Sequence, residues 1–423
     1  LIEIKEGYKK SEIGIIPNEW EVVKLGDIGK SIIGLTYSPS DVVNNSNNAY
    51  LVLRSSNVQN SNILLENNVY VNKNIPKNLI VKKGDILICS RNGSKNLIGK
   101  NAYISKAQEG YTFGAFMTIY RSKYSKYVYQ LLKTNLYQKQ INNNMGATIN
   151  QITTRNLNSF KFPFPPLKEQ RKIADILSNV DEKIDIISNQ IEKVEILKKG
   201  LMQKLLNEGI GHNRFKDSEL GKIPESWEIK YLSEIGLFSK GKGISKNEII
   251  DNGIPCMRYA EIYTKYNTVL KNIKSFINKK SALNSKQIYK GDILFAGSGE
   301  TLEDIGKSVA FLDDFEACVG GDTIILSPNI DYNSLFMSYQ LNTTSVRIQL
   351  RKLGQGNSVV HIYSSGLKKV FVAFPPLQEQ KEIADILSTT DEKIEILKAK
   401  KQKYETLKKG LLQKLLSGEI RVV

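Results

Sequence analysis

Two polar loops carry the side chains best suited to addressing the edge of a base pair. The segment SRNGSKN presents Arg91, Asn92, Ser94 and Lys95 directly after an apolar run. Arginine can pair with guanine, and asparagine with adenine, through paired hydrogen bonds. The alternative is a solvated loop. The corresponding later segment, GSGETLED, offers Ser298, Glu300 and Thr301 and lacks the arginine. Glu300 would repel phosphates but could accept from a cytosine amino group. Arg54 and Arg258 follow matching early strands, which suits either DNA contact or a structural salt bridge. Lys100 and Lys307 each follow Ile-Gly and suit phosphate contacts. Arg155 follows NNNMGATINQITT. Ser358 and His361 lie in GQGNSVVHIY, where His361 takes the place Gln151 has earlier. Tyr259 could stack on a base, although core packing is the plainer reading.

Other chemistries find little support. No Gly-x4-Gly-Lys-Ser/Thr occurs, so a P-loop is not expected. FPPL at Phe164 and Phe374 has the outline of an adenine-methyltransferase signature. It puts Phe at the polar position and Leu at the aromatic one, which leaves nothing to hold an adenine amino group. Asp85 and Asp292, in KGDIL, read as turn residues rather than nuclease carboxylates. Three cysteines without a Cys-x-x-Cys pair, and two histidines, argue against a structural metal. No cofactor is expected. The sparse cysteines suit a reducing cytoplasm. No apolar run is long enough to cross a bilayer, and LIEIKEGYKKSEIG has no export-signal pattern, so a cytoplasmic protein without membrane contact is expected.

The charge is +17 over 423 residues, with 60 Lys and Arg against 43 Asp and Glu. Such a surplus favours a polyanionic partner, nucleic acid first.

The elements that must position these residues are duplicated. SEIGIIPNEWEVVKLGDIG at Ser11 returns as SELGKIPESWEIKYLSEIG at Ser218, and KKGDILICS at Lys82 returns as YKGDILFAG at Tyr289. FPPLKEQRKIADILSNVDEKI at Phe164 returns as FPPLQEQKEIADILSTTDEKI at Phe374. This is duplication of a whole structural unit, far longer than a solenoid repeat. In each copy, short branched and aromatic runs bounded by Gly and Asn clusters read as strands. Each copy then ends in a long helix. The paired prolines stand at its start, and neither Pro nor Gly follows until Gly200 or Gly410.

Apolar residues in the first helix alternate by three and four, at Leu177, Val180, Ile184, Ile187, Ile191 and Val194; the matching seam in the second is Leu387, Thr390, Ile394, Leu397, Lys401 and Tyr404. The pattern is a coiled-coil seam. The step from Val194 to Leu197 and Leu201 predicts a break in heptad phase. Lys401, in the place of Ile191, either specifies pairing or snorkels from the edge. Helices of about 40 residues are about 60 Å long, too long to pack only on their own domain. Pairing with each other is the direct solution; docking elsewhere or on a second subunit is the alternative. The helices carry little of the positive surplus, which assigns DNA contact to the β-rich parts and scaffolding to the helices.

The fold expected is therefore α+β: two similar, mixed, β-rich recognition domains joined by two long helices in an antiparallel coiled coil, with internal pseudo-two-fold symmetry. The boundaries expected are 1–163 for the first domain with an N-terminal extension, and 164–208 for the first long helix. A connector and second domain follow at 209–373, then the second long helix and tail at 374–423. Two unlike readers predict a bipartite, asymmetric target with a helix-set spacer. A stand-alone DNA-binding regulator and a non-catalytic coiled-coil assembly protein are the alternatives.

The IPxxW, KGDIL, FPPLxEQxxIADIL, DEKI and GLxQKLL segments, in this order and twice over, resemble the specificity subunit of type I restriction-modification systems. The match covers essentially the whole chain. The resemblance implies a non-catalytic subunit with two target recognition domains on double-stranded DNA. It further implies two adenine-N6 methyltransferase partners and, in a full complex, two ATP-dependent restriction subunits.

Overall fold

The structure is a computed structural model that describes residues 4–44, 48–145, 150–356 and 359–422. It divides into two compact units, one of residues 1–188 with 400–423 and the other of residues 189–399. The divisions fall inside both long helices, so each unit holds one β-rich part and a portion of each helix.

In the first unit a four-stranded antiparallel sheet has the order Asn101–Tyr103, Ile86–Cys89, Met117–Arg121, Lys30–Ile33. The strand Ile86–Cys89 is buried along its whole length, as a continuous apolar run bounded by turns should be. A smaller sheet places Tyr50–Leu53 between Thr112–Phe113, in parallel, and Tyr70–Val71. Leu51, Leu53, Leu87, Phe113 and Ile119 share the core beneath them. Glu21–Lys24 pairs with Lys161–Phe164 and so brings the two ends of the β-rich part together at the root of the first long helix.

The second unit repeats the plan. Its main sheet has the order Gly236–Lys240, Thr323–Pro328, Ile293–Ala296, Ser308–Ala310, and Glu228–Tyr231 pairs with Phe371–Phe374. Ahead of each central strand, the Lys-Gly-Asp turn needs a residue at positive φ. Gly84 (φ 92°) and Gly291 (φ 98°) supply it. Asp85 and Asp292 then accept the N–H of Lys82 and Tyr289, each at 2.8 Å.

The long helices span Leu167–Glu208 and Leu377–Leu416. Pro166 and Pro376 immediately precede them, where no internal N–H is required. Each helix start is tied to its domain by two neighbouring residues. Gln170 and Gln380 donate to the carbonyls of Pro165 and Pro375. Glu169 and Glu379 accept the indole N–H of Trp20 (3.0 Å) and Trp227 (2.9 Å). The IPxxW and FPPLxEQ motifs are therefore two sides of one contact. In the first unit Arg421 also grips Glu169; burial raises the Glu169 pKa, but the bonds from Arg421 and Trp20 outweigh it and hold it below the usual carboxylate range. In the second unit His212 Nε2 lies 2.8 Å from Glu379.

Within each unit the helix segments run antiparallel. In the first, Asp181 meets Lys408 while Glu169 meets Arg421. In the second, Lys198 meets Asp391 at 2.5 Å and Glu195 meets Lys398 at 3.4 Å. Leu177, Val180, Ile187, Leu387 and Ile394 are buried; Ile184, Ile191, Leu397 and Tyr404 are half-buried. The predicted phase break does not occur. Leu197 faces solvent at 57% exposure, and the half-buried Lys198 takes the seam position between Val194 and Leu201. The heptad passes through a lysine because Asp391 neutralises it and its ammonium also lies 5.6 Å from the centre of the Tyr339 ring.

Candidate nucleic-acid interface

The loop after Ile86–Cys89 leaves the sheet with its backbone held on two sides. Ser90 and Arg91 donate to the carbonyl of Phe116. A distant segment lies alongside: Arg91 bridges Gln151, Ile152 donates to Ser90, and Asn92 donates to Asn150. The Asn92 side chain reaches the Ser55 hydroxyl at 3.0 Å, next to Arg54. Three loops separated in sequence thus converge. The Arg91 guanidinium is exposed and lies 5.1 Å from the centre of the Phe116 ring, itself 56% exposed. An exposed arginine held against an aromatic face beside Asn92 and Gln151 is a set that can read base edges and pack against a base.

The second unit builds the same junction from different residues. Ser298–Gly299 pairs with Val360–His361, with Ser298 opposite His361. The Ser298 hydroxyl lies 2.8 Å from His361 Nδ1. Ser298 is buried, and in this position its hydroxyl fixes the orientation of the His361 ring. Glu300 and Thr301 are exposed just beyond, and the Thr301 hydroxyl donates to Asp304 at 2.7 Å.

Arg54 and Arg258 are half-buried, and neither forms an ion pair among the described residues. Arg54 Nη2 donates to the Asn67 carbonyl at 2.7 Å, and each arginine retains a buried Nε without a partner. Among the described residues, neither arginine thus makes the structural salt bridge. Lys100 and Lys307 line matching clefts, beside Ser55 and Leu97 in one unit and beside Tyr263 and Asp304 in the other. Ser94 and Lys95 are exposed in the Arg91 loop, and Arg155 is exposed on the short helix Thr154–Ser159. Tyr259 is half-buried against Tyr263. Ser358 lies outside the described residues. Phe116 carries no signal in the sequence, and its exposure appears only once the strands are paired.

No group of three or more His, Cys, Asp or Glu among the described residues is arranged to hold a metal ion, and no described helix is long and apolar enough to cross a membrane. The thiols of Cys89, Cys256 and Cys318 are buried and unpaired; burial pushes Cys89 up to about 11 and Cys256 up to about 12.

A duplicated α+β chain with a polar loop junction at the same place in each copy defines a class of DNA-reading protein. Residues 17–196 and 224–406 both match the type I restriction modification DNA specificity domain, and the chain belongs to that family. It is 30% identical to the type I restriction enzyme MjaVIII specificity subunit of Methanocaldococcus jannaschii, over 99% of this chain and 97% of that protein. It is 32% identical to the putative MjaX specificity subunit of the same organism over the same shares. The S subunit structure from M. genitalium has the same fold, with a TM-score of 0.63 at 16% identity, covering 98% of each chain. Proteins of this kind specify a DNA sequence and are not themselves catalytic; the chain is a specificity subunit, not an enzyme.

Proposed function

We propose that the chain recognises a bipartite, asymmetric DNA target, one half-site per unit. The observation that carries this reading is the matched junction built from unlike residues: Arg91 with Gln151 in one unit, Ser298 with His361 in the other. A shared backbone plan with different donors and acceptors gives two readers of different sequence. Arg54, Asn92, Ser94, Lys95, Lys100 and Arg155 serve the first half-site. Arg258, Glu300, Thr301, Lys307, Ser358 and His361 serve the second. The recognition modules lie within 1–163 and 209–373, and the paired helices, each about 60 Å long, set the spacer.

The partners in this reading are two adenine-N6 methyltransferase subunits and, in the full complex, two ATP-dependent restriction subunits, acting in the cytoplasm. The test is co-expression with the methyltransferase followed by methylome sequencing. R91A should relax or abolish one half of the methylated motif and leave the other half intact. An unchanged motif after residues 18–163 are replaced by another recognition domain would overturn the reading.

A further inference from the structure

Beside the second reader is a cleft of about 470 Å³ with Arg347 and Lys307 in its wall. Arg347 is only 8% exposed. Its Nη2 donates to the Glu303 carbonyl at 2.8 Å, while Nη1 has no partner. The Lys307 ammonium donates to the Tyr266 carbonyl at 3.0 Å. Neither cation is ion-paired among the described residues, although buried cations are ordinarily paired. Lys198, on the first long helix, adds a third cation to the wall, already paired with Asp391.

The acidic residues of the cleft are committed elsewhere. Glu303 pairs with Arg351, and Asp304 accepts from the backbone and hydroxyl of Thr301. Burial, with Arg351 close by, pulls the Arg347 guanidinium below its ordinary value although Glu303 and Asp304 act the other way; burial, with Arg347 close by, does the same to Lys307 against the charge of Asp304. Both cations would be relieved by an added anion.

The first unit shows the contrast. Its matching cleft keeps a lysine, Lys100, but Gln138 stands where Arg347 stands in the second. The two helices are aligned by Gln140 and Gln349, which clasp Lys161 and Phe371 through the same pair of hydrogen bonds. The doubled cation is therefore particular to the second unit.

We propose that Arg347 and Lys307 form a phosphate-binding pocket in the second unit. A phosphate oxyanion supplies several acceptors to a guanidinium and an ammonium together. The phosphate belongs either to a DNA backbone beside the second reader or to a small phosphorylated molecule. Lys307 is shared with the second half-site in the reading above, whereas Arg347 is not, and the pocket's geometry is argued without that assignment.

Thermal unfolding of the full chain in rising inorganic phosphate, at constant ionic strength set with chloride, is the first arm. Salt-dependent affinity for a duplex oligonucleotide is the second. R347Q, which copies Gln138, and K307Q, on a less buried side chain, are compared with the parent. A free-phosphate site raises Tm by roughly 5–10 °C at a hundredfold excess over Kd, and both variants lose the rise. A DNA-backbone site gives no such rise, but each variant reduces the steepness of log K against log salt by about one. Should R347Q fail to fold, K307Q decides both arms. The proposal is overturned if phosphate gives no rise and the salt slope is unchanged in the variants. The phosphate arm uses no DNA, so its outcome is separate from that of the methylome test.

Discussion

Asp85 and Asp292 close the same turn in the two units, yet only Asp85 has an arginine. Arg121 holds it through Nε and Nη2, both at 2.7 Å. The register of the paired strands puts Ser327 where Arg121 would be, and its hydroxyl is what Asp292 receives. Burial pushes the Asp292 carboxyl up, and the hydroxyl, the Tyr289 N–H and the nearby charge of Lys286 do not make good the loss. The turn requires a side-chain oxygen to accept its backbone N–H, but not an arginine behind it.

Asp181 and Asp391, the DEKI aspartates, differ in the same direction. Asp181 joins Lys133 of the β-rich part and Lys408 of the second long helix, each at 2.6 Å. Asp391 joins Lys198 and, in place of a second cation, the hydroxyl of Tyr339 at 2.6 Å. One carboxylate thus ties reader to both helices in each unit, with two charges in the first and one in the second.

The largest expected effect is D181N, which strands two lysines. Removing one partner of a buried pair costs about 3–5 kcal/mol, and the partial exposure of Lys408 puts this at the lower end, about 3 kcal/mol. D85N should follow at about 2 kcal/mol, discounted because the Arg121 side chain is 28% exposed. Y339F, which deletes a single bond to a charged acceptor, should cost about 1.5 kcal/mol. D292N should fall within about 0.5 kcal/mol of the parent at neutral pH, or stabilise it, because the amide removes a buried charge that no cation pairs with directly and that Lys286 offsets only in part. Amide hydrogen exchange checks all four, since it reports each unit separately. Equal losses for D85N and D292N would break the comparison.

Acid sharpens it by sign. Burial raises the Asp181 pKa, but Lys133 and Lys408 outweigh it and hold the group below the usual range. Its contribution is present above the unfolded carboxylate pKa, about 3.9, and is lost as pH falls through the lower folded value. Glu169 behaves likewise. Asp292 has a raised folded pKa, so its cost is present above that value and is relieved as pH falls to the unfolded one. Between neutral pH and about 4, exchange protection near Asp292 should improve relative to D292N, while protection around Asp181 holds until lower pH.

The duplication, the two long helices and the Lys-Gly-Asp turn were legible because each rests on local spacing or on a recurring string. The seam was legible where it was apolar and misread at Lys198, because hydrophobic periodicity cannot see a lysine neutralised by a partner nearly two hundred residues away. The Trp20–Glu169 tie spans a similar separation and leaves no periodic trace. At the reader, the Arg91 loop stood out by composition. Its neighbours Phe116 and Gln151 were set by strand pairing, and Ser298 looked like a surface hydroxyl until the pairing with His361 buried it.

All three native sulfhydryls are enclosed, and burial keeps them protonated. A maleimide dye offered to the folded chain will find almost no thiolate to attack. One cysteine engineered at Lys95 or Thr301 would then take the label alone, giving a fluorescent reporter on one chosen reader without first stripping the background.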